Sequence, residues 1–205
     1  MTTCTLTYFD FHGGRGEDCR LALHAAGVDF EDDRVRSGWP ERKPGTPFGA
    51  LPVFTRDGRS ISDGNAILAL IGRENGMHPA DLWEAARQEA IMAAVEDLRH
   101  KVERVMEEKD PAQRKIVREA MAAGMLQDLG QRFEAQLPAT GFLGGDALFV
   151  ADLKLFVVMK WFRSGGLDHV PATVFDNFPR LTAHYNAVAH HPAVVSWYAA
   201  KGVTV

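Results

Sequence analysis

A chain of 205 residues is about 1.4 times a ~150-residue domain, so it holds one large domain or two modest ones. Hydrophobic residues make up 46% and charged residues 24%, enough for a buried core, which excludes a disordered chain, a collagen or a coiled-coil rod. A net charge of -4 offers no basic surplus for nucleic acid or an acidic membrane surface, and two cysteines, Cys4 and Cys19, cannot build a disulfide framework. The N-terminus lacks a basic segment leading into an apolar one, and the most apolar run, Leu155 to Met159, is far short of the ~18 residues of a membrane span. A cytoplasmic protein in a reducing setting is expected, without nucleic acid or membrane as partner.

Cys4, Leu6 and Tyr8 alternate with Thr5 and Thr7, the period-2 pattern of a strand that ends at Gly13 and Gly14. A helix is predicted from Gly16 to about Ala26, with Glu17 and Asp18 in its first turn and Gly27 as its stop. Val28 to Arg36 reads as a second strand, parallel to the first. Three prolines and three glycines between Ser37 and Ala50 make a loop or broken helix. Leu51–Phe54 and Arg59–Ser62 flank Asp57-Gly58, a hairpin signal, and a helix over Gly64–Glu74 follows. This gives βαβ-ββα over residues 1–76.

After a linker near Gly76–Asp81 no strand is evident, and residues 82–205 read as an all-helical domain. Ile91, Val95, Leu98, Val102 and Val105 mark one face of a long helix, which Asp110-Pro111 ends. Ile116, Ala120, Ala123, Leu126, Leu129 and Phe133 mark a single further helix. Ala151 to Phe162 is apolar on nearly all sides and should be the centre of the bundle. Asn177 before Pro179 opens another helix, and Pro192 separates it from the last. His190-His191 should sit at a helix end where a cation meets the dipole favourably.

Several chemistries lack their motif. There is no third glycine at dinucleotide spacing after Gly14-Arg15-Gly16, no Gly-Lys-Ser/Thr loop, no Cys-x-x-Cys, no His-Glu-x-x-His and no Gly-x-Ser-x-Gly, so no metal is expected. Cys19, without a cysteine partner in its helix, reads as a buried small hydrophobe, and Met92, Met106, Met121 and Met125 as helix packing.

The stretches LTYFDFHGGRGEDCRLAL, PFGALPVF and DGRSISDGNAILALIGR, with Trp39 to Lys43 between them, resemble the cytosolic glutathione transferases. AVEDLRHKV, GDALFVADLKLF and FPRLTAHYNAVAHHPAVVSWYA are similar to the second domain of that family. The nearest class is the tyrosine-type sigma class, to which haematopoietic prostaglandin D synthases belong. The resemblance implies a thioredoxin-like domain followed by an all-α domain, glutathione as cosubstrate, a small hydrophobic electrophile, a homodimer, and detoxification by conjugation. A glutathione-dependent isomerase or peroxidase, or a non-catalytic binding protein, is the alternative on this fold.

By the same resemblance, Tyr8 donates a hydrogen bond to the glutathione sulfur. Arg15 helps to polarise the site, although the extra glycine in His12-Gly13-Gly14 leaves open that it points elsewhere. Trp39 and Lys43 hold the glycyl end, and the backbone of Leu51, before a cis Pro52, pairs with the cysteinyl part. Asp63-Gly64 departs from the Gln-Ser or Gln-Thr of relatives: Gly64 has no hydroxyl for the γ-glutamyl carboxylate, and Asp63 either receives the ammonium or caps the helix. Asp97 reaches the ammonium across a dimer or pairs with Lys101, and Asp152 opens its helix behind Phe149 rather than a Ser/Thr cap. The electrophile pocket draws on Phe11, His12, Gly13 and Met106, and Phe48 lies near the dimer interface.

Overall fold

The computed structural model describes residues 4–139 and 141–204, so the outer limits expected for the two domains, 1 and 205, lie outside it. Strand β1 (Cys4–Phe9) buries Cys4, Leu6 and Tyr8 on one face, as the alternation predicts, while Thr7 turns outward and its hydroxyl donates to Asp33 at 2.9 Å. It pairs in parallel with β2 (Phe30–Val35), Cys4 opposite Phe30 and Tyr8 opposite Arg34, through the crossover helix α1 (Gly14–Ala25). β2 is an edge strand, and its acidic residues Glu31, Asp32 and Asp33 resist further pairing.

Helix α2 (Trp39–Arg42) and a 3-10 turn over Lys43–Gly45 fill the proline-rich segment, followed by the cis peptide Leu51-Pro52. β3 (Val53–Arg56) and β4 (Arg59–Ser62) form the expected hairpin, with Asp57 at φ 53° and Gly58 at φ 71°, the two left-handed residues that a tight primed turn needs. The sheet order is β2-β1-β3-β4. Helix α3 (Gly64–Glu74) covers it with Ile67, Leu68 and Ile71.

The rest is helical: α4 (Leu82–Met106), α5 (Pro111–Ala123), α6 (Met125–Gln136), α7 (Val150–Arg163), α8 (Pro179–Ala189) and α9 (Pro192–Lys201). Asp81 and Asp110 cap α4 and α5, accepting from the Glu84 and Gln113 amides at 2.9 and 2.8 Å. Helix α7 is the centre, buried along its length and packed against α1, α4 and α8.

Three expectations need correction. The single helix running through Ala123 and Leu126 is two, because the chain leaves helical geometry at Gly124, where Gln127 donates to the Ala122 carbonyl and to Val174, each at 3.1 Å. Asn177 does not open α8: Phe178 precedes its first turn, and the Glu134 carboxylate accepts from the Arg180 and Leu181 amides at 2.9 and 2.8 Å. His190 does bond the Asn186 carbonyl at the end of α8 (2.7 Å), but His191 caps the start of α9, its Nδ1 accepting from the Ala193 amide, and burial lowers its pKa. A cation has no favourable place there.

The helix start at Phe149 is completed by its third residue. Asp152, fully buried, accepts from the Phe149 and Leu143 amides at 2.8 Å each and bonds His184 Nε2 at 2.8 Å. One carboxylate thus anchors the helix start, the preceding loop and α8 together.

Candidate active site

Tyr8 sits near the C-terminal end of β1, where the chain leaves the sheet for the Phe11–Gly13 loop and α1. Its ring lies against the first turn of α1, and glycine permits this. A Cβ on Gly16 would stand 2.1 Å from the ring, and one on Gly14, which also holds φ +64°, would stand 2.8 Å from the hydroxyl. Burial pushes the Tyr8 phenol up from its ordinary pKa, against the lowering charge of Arg15. Tyr8 therefore keeps its proton at neutral pH and can donate it in a hydrogen bond.

Tyr8 opens on a cavity of about 350 Å³, within the range of small-molecule sites. Phe11, His12, Gly13 and Met106, the residues expected around an electrophile, all line it. Leu98 and Val102 of α4, Val157 and Trp161 of α7 and Tyr198 of α9 also line it. The His12 ring turns a buried Nδ1 toward Glu17, 3.6 Å from Oε1, too far for a hydrogen bond.

Arg15 lines the same cavity, held by Glu96 at 2.6 Å and Glu103 at 2.8 Å, while its Nη2 is buried without a partner among the described residues. Gly64 is its neighbour: a Cβ there would meet Arg15 Cβ at 3.6 Å and Pro52 Cγ at 4.0 Å, ordinary contact distances. Asp63 caps α3, its Oδ1 accepting from the Ala66 amide at 2.9 Å. Next to them Asn65 holds a buried Oδ1 with no partner among the described residues, an acceptor that the sequence pattern did not single out.

The other expected glutathione contacts lie outside the cavity wall. Trp39 is half-buried, edge-on to Phe9 with ring centroids 5.8 Å apart. Lys43 is exposed, with its stem over Gly49. Asp97 is exposed on α4 and makes no ion pair with Lys101 among the described residues. Phe48 is 81% exposed.

Behind Tyr8 lies an ion network that the sequence reading missed. Asp18, read as a first-turn acid facing the helix dipole, is fully buried and takes the Arg99 guanidinium at 2.6 and 2.8 Å, with Lys154 at 3.5 Å. Glu96 binds Lys154, Arg99 and Arg15 together; burial opposes its charge, but Lys154 and Arg99 bring its carboxyl down to about 2. Glu17 is also fully buried, accepting from Trp197 Nε1 at 2.7 Å and pairing with Arg20 at 3.3 Å. The available signal was Lys154 itself, an ionisable residue inside an apolar run, which requires a partner. Cys19 is fully buried, which pushes its thiol far up, so it is inert packing.

Among the described residues no cluster of His, Cys, Asp and Glu is arranged to hold a metal ion. The family model of the glutathione S-transferase C-terminal domain matches residues 96–201. Probable glutathione S-transferase 7 of Caenorhabditis elegans is 28% identical over 221 aligned positions, covering 100% of this chain and 99% of that protein. Hematopoietic prostaglandin D synthase of Gallus gallus is 31% identical, with 96% of each chain covered. The solved glutathione S-transferase of Ascaris lumbricoides superposes with a TM-score of 0.84 at 29% identity over 97% of each chain. These likenesses run through the sheet that carries Tyr8 and the helices that close its cavity alike, and the chain belongs to the glutathione S-transferase family.

Proposed function

We propose that the protein joins the glutathione thiol to a small hydrophobic electrophile in the cavity beside Tyr8. The reading gives residues 1–76 the binding of glutathione and residues 82–205 most of the electrophile pocket. The observation that carries it is Tyr8, protonated and set on the cavity wall next to Arg15. A thiol of pKa ~8.5 is only about 3% thiolate at pH 7, and lowering it by ~2 units makes thiolate the major form for ~2.7 kcal/mol of differential stabilisation. A Tyr8 hydrogen bond to the sulfur anion supplies much of that, and the Arg15 charge adds to it. The thiol proton passes to solvent, the thiolate attacks the electrophilic carbon, a C–S bond forms, and the leaving group departs with its electron pair.

In this reading the γ-glutamyl end of glutathione lies at the start of α3, where backbone amides and the helix dipole attract its carboxylate. Asp63 gives only Oδ1 to its cap, so its carboxylate can still take the ammonium, with the nearby Asn65 Oδ1 as a second acceptor. Trp39 and Lys43 take the glycyl end, and Leu51 and Pro52 the cysteinyl backbone. The exposed Phe48 and Asp97 suit a homodimer in which Phe48 enters the partner and Asp97 reaches its glutathione. Sedimentation as a stable monomer at micromolar concentration would remove both roles. Two buried free cysteines suit a reducing compartment, which supports a cytoplasmic setting, and the conjugation reading gives that setting a detoxifying role.

The direct test is conjugation of glutathione to 1-chloro-2,4-dinitrobenzene by the purified protein. Conjugate formation above the uncatalysed rate is expected. Tight glutathione binding without turnover on any electrophile would favour a binding protein. The name of the Gallus gallus relative favours isomerisation as the second reaction to assay, beside peroxide reduction.

A further inference from the structure

The charged groups on the cavity wall are unequally matched. Arg15 is held by Glu96 and Glu103, and Arg99 by Asp18 and Glu96. Lys160, on the last turns of α7, is the exception: among the described residues no carboxylate lies within ion-pair distance of its ammonium. Its Nζ stands over the Tyr198 ring, 4.9 Å from the centroid, and both residues line the cavity. Tyr198 is fully buried. Glu17 is the carboxylate whose field reaches both, but it holds Trp197 and Arg20 and forms no ion pair with Lys160 among the described residues. Partial burial lowers the Lys160 pKa, as expected for a cation drawn from water without a counter-charge.

A partly exposed ammonium held on a ring face, with no carboxylate beside it, keeps donors free for a ligand, and a carboxylate takes them with a charge-assisted hydrogen bond. We propose that Lys160, held over the Tyr198 ring, is an anion-recognising subsite of the cavity, so that the favoured electrophiles are apolar molecules carrying a carboxylate. This rests on the conjugation reading above and specifies its substrate class. Leu98, Val102, Val157 and Trp161 take the apolar body.

The test compares 4-chloro-3-nitrobenzoate with its methyl ester, each enzymatic rate divided by the uncatalysed rate of the same compound. In the native protein the ratio of carboxylate to ester kcat/KM should favour the carboxylate. Lys160→Met, which keeps an unbranched apolar stem, should lower that ratio about ten- to a hundredfold, the worth of one hydrogen bond to a charged group. Lys160→Arg should retain most of it. A ratio that does not differ between native protein and Lys160→Met overturns the subsite and leaves Lys160 as a stem reaching for solvent. If no electrophile is conjugated, including 1-chloro-2,4-dinitrobenzene, the conjugation reading fails on its own. Calorimetric binding of 4-chloro-3-nitrobenzoate then decides the subsite: affinity lost in Lys160→Met supports it, and equal affinity overturns it.

Discussion

A phenol helps a sulfur anion only if it keeps its own proton; an ordinary phenol does so at neutral pH, and burial pushes Tyr8 further the same way. Tyr8→Phe removes the hydroxyl and leaves the ring to pack on Gly16. The pKa of bound glutathione should rise by about one to two units, the equivalent of ~1.5–3 kcal/mol. Turnover at neutral pH should fall ten- to a hundredfold and partly recover at high pH, read by thiolate absorbance and by the rate profile. An unchanged thiol pKa would return Tyr8 to packing alone. Gly64 makes a second test, because a Cβ fits there at ordinary contact distances. Gly64→Ser should tighten glutathione binding by ~0.5–3 kcal/mol through one added hydrogen bond, measured by calorimetry. Unchanged affinity would mean that the amides of α3 and Asn65 already suffice.

The first turn of α1 shows how one element serves the site. The alternation of β1 and the glycines after it were legible as a strand end, and the placement of Tyr8 followed. The reason for Gly16 was not: the ring it accommodates stands eight residues earlier, and only the packing of helix on strand brings the two together. Gly16→Ala should drive the Tyr8 ring from its place. A loss of ~1–3 kcal/mol in denaturant unfolding is expected, with a fall in turnover larger than the stability loss explains. Native activity in that variant would show that the ring can shift without leaving the reacting position. The α5–α6 break and the α8 start were hidden for a related reason. Their decisive bonds, Gln127 to Val174 and Glu134 to the Arg180 and Leu181 amides, join residues more than forty positions apart.

Across the molecule, the Asp18–Arg99–Glu96–Lys154 network ties the sheet unit to the helical bundle directly behind Tyr8. The Glu96 carboxyl lies at about 2 in the folded protein against an ordinary 4.5, so it binds its proton more readily once unfolded. Its contribution to stability is present above about 4.5 and is lost as pH falls toward 2. The melting temperature should therefore drop across that window. Glu96→Gln should melt lower at neutral pH, by the equivalent of ~3–5 kcal/mol, because Lys154 and Arg15 lose a counter-charge. The variant should also show a shallower acid slope; equal slopes would place the acid sensitivity elsewhere.

Local patterns in the sequence determined the βαβ-ββα order, the Asp57-Gly58 hairpin, the long α4 and the buried α7, because periodicity and turn chemistry act over a few neighbouring residues. Family motifs within it pointed to Tyr8 and to the loop that lines the cavity. Tertiary structure alone decided that Glu17 and Asp18 are buried anchors, that Arg15 is shared between Glu96 and Glu103, and that Lys160, a cavity cation, has no carboxylate beside it among the described residues. A charge reads the same in sequence whether solvated or buried; its role depends on which distant groups packing brings within a few ångströms and how much water it removes.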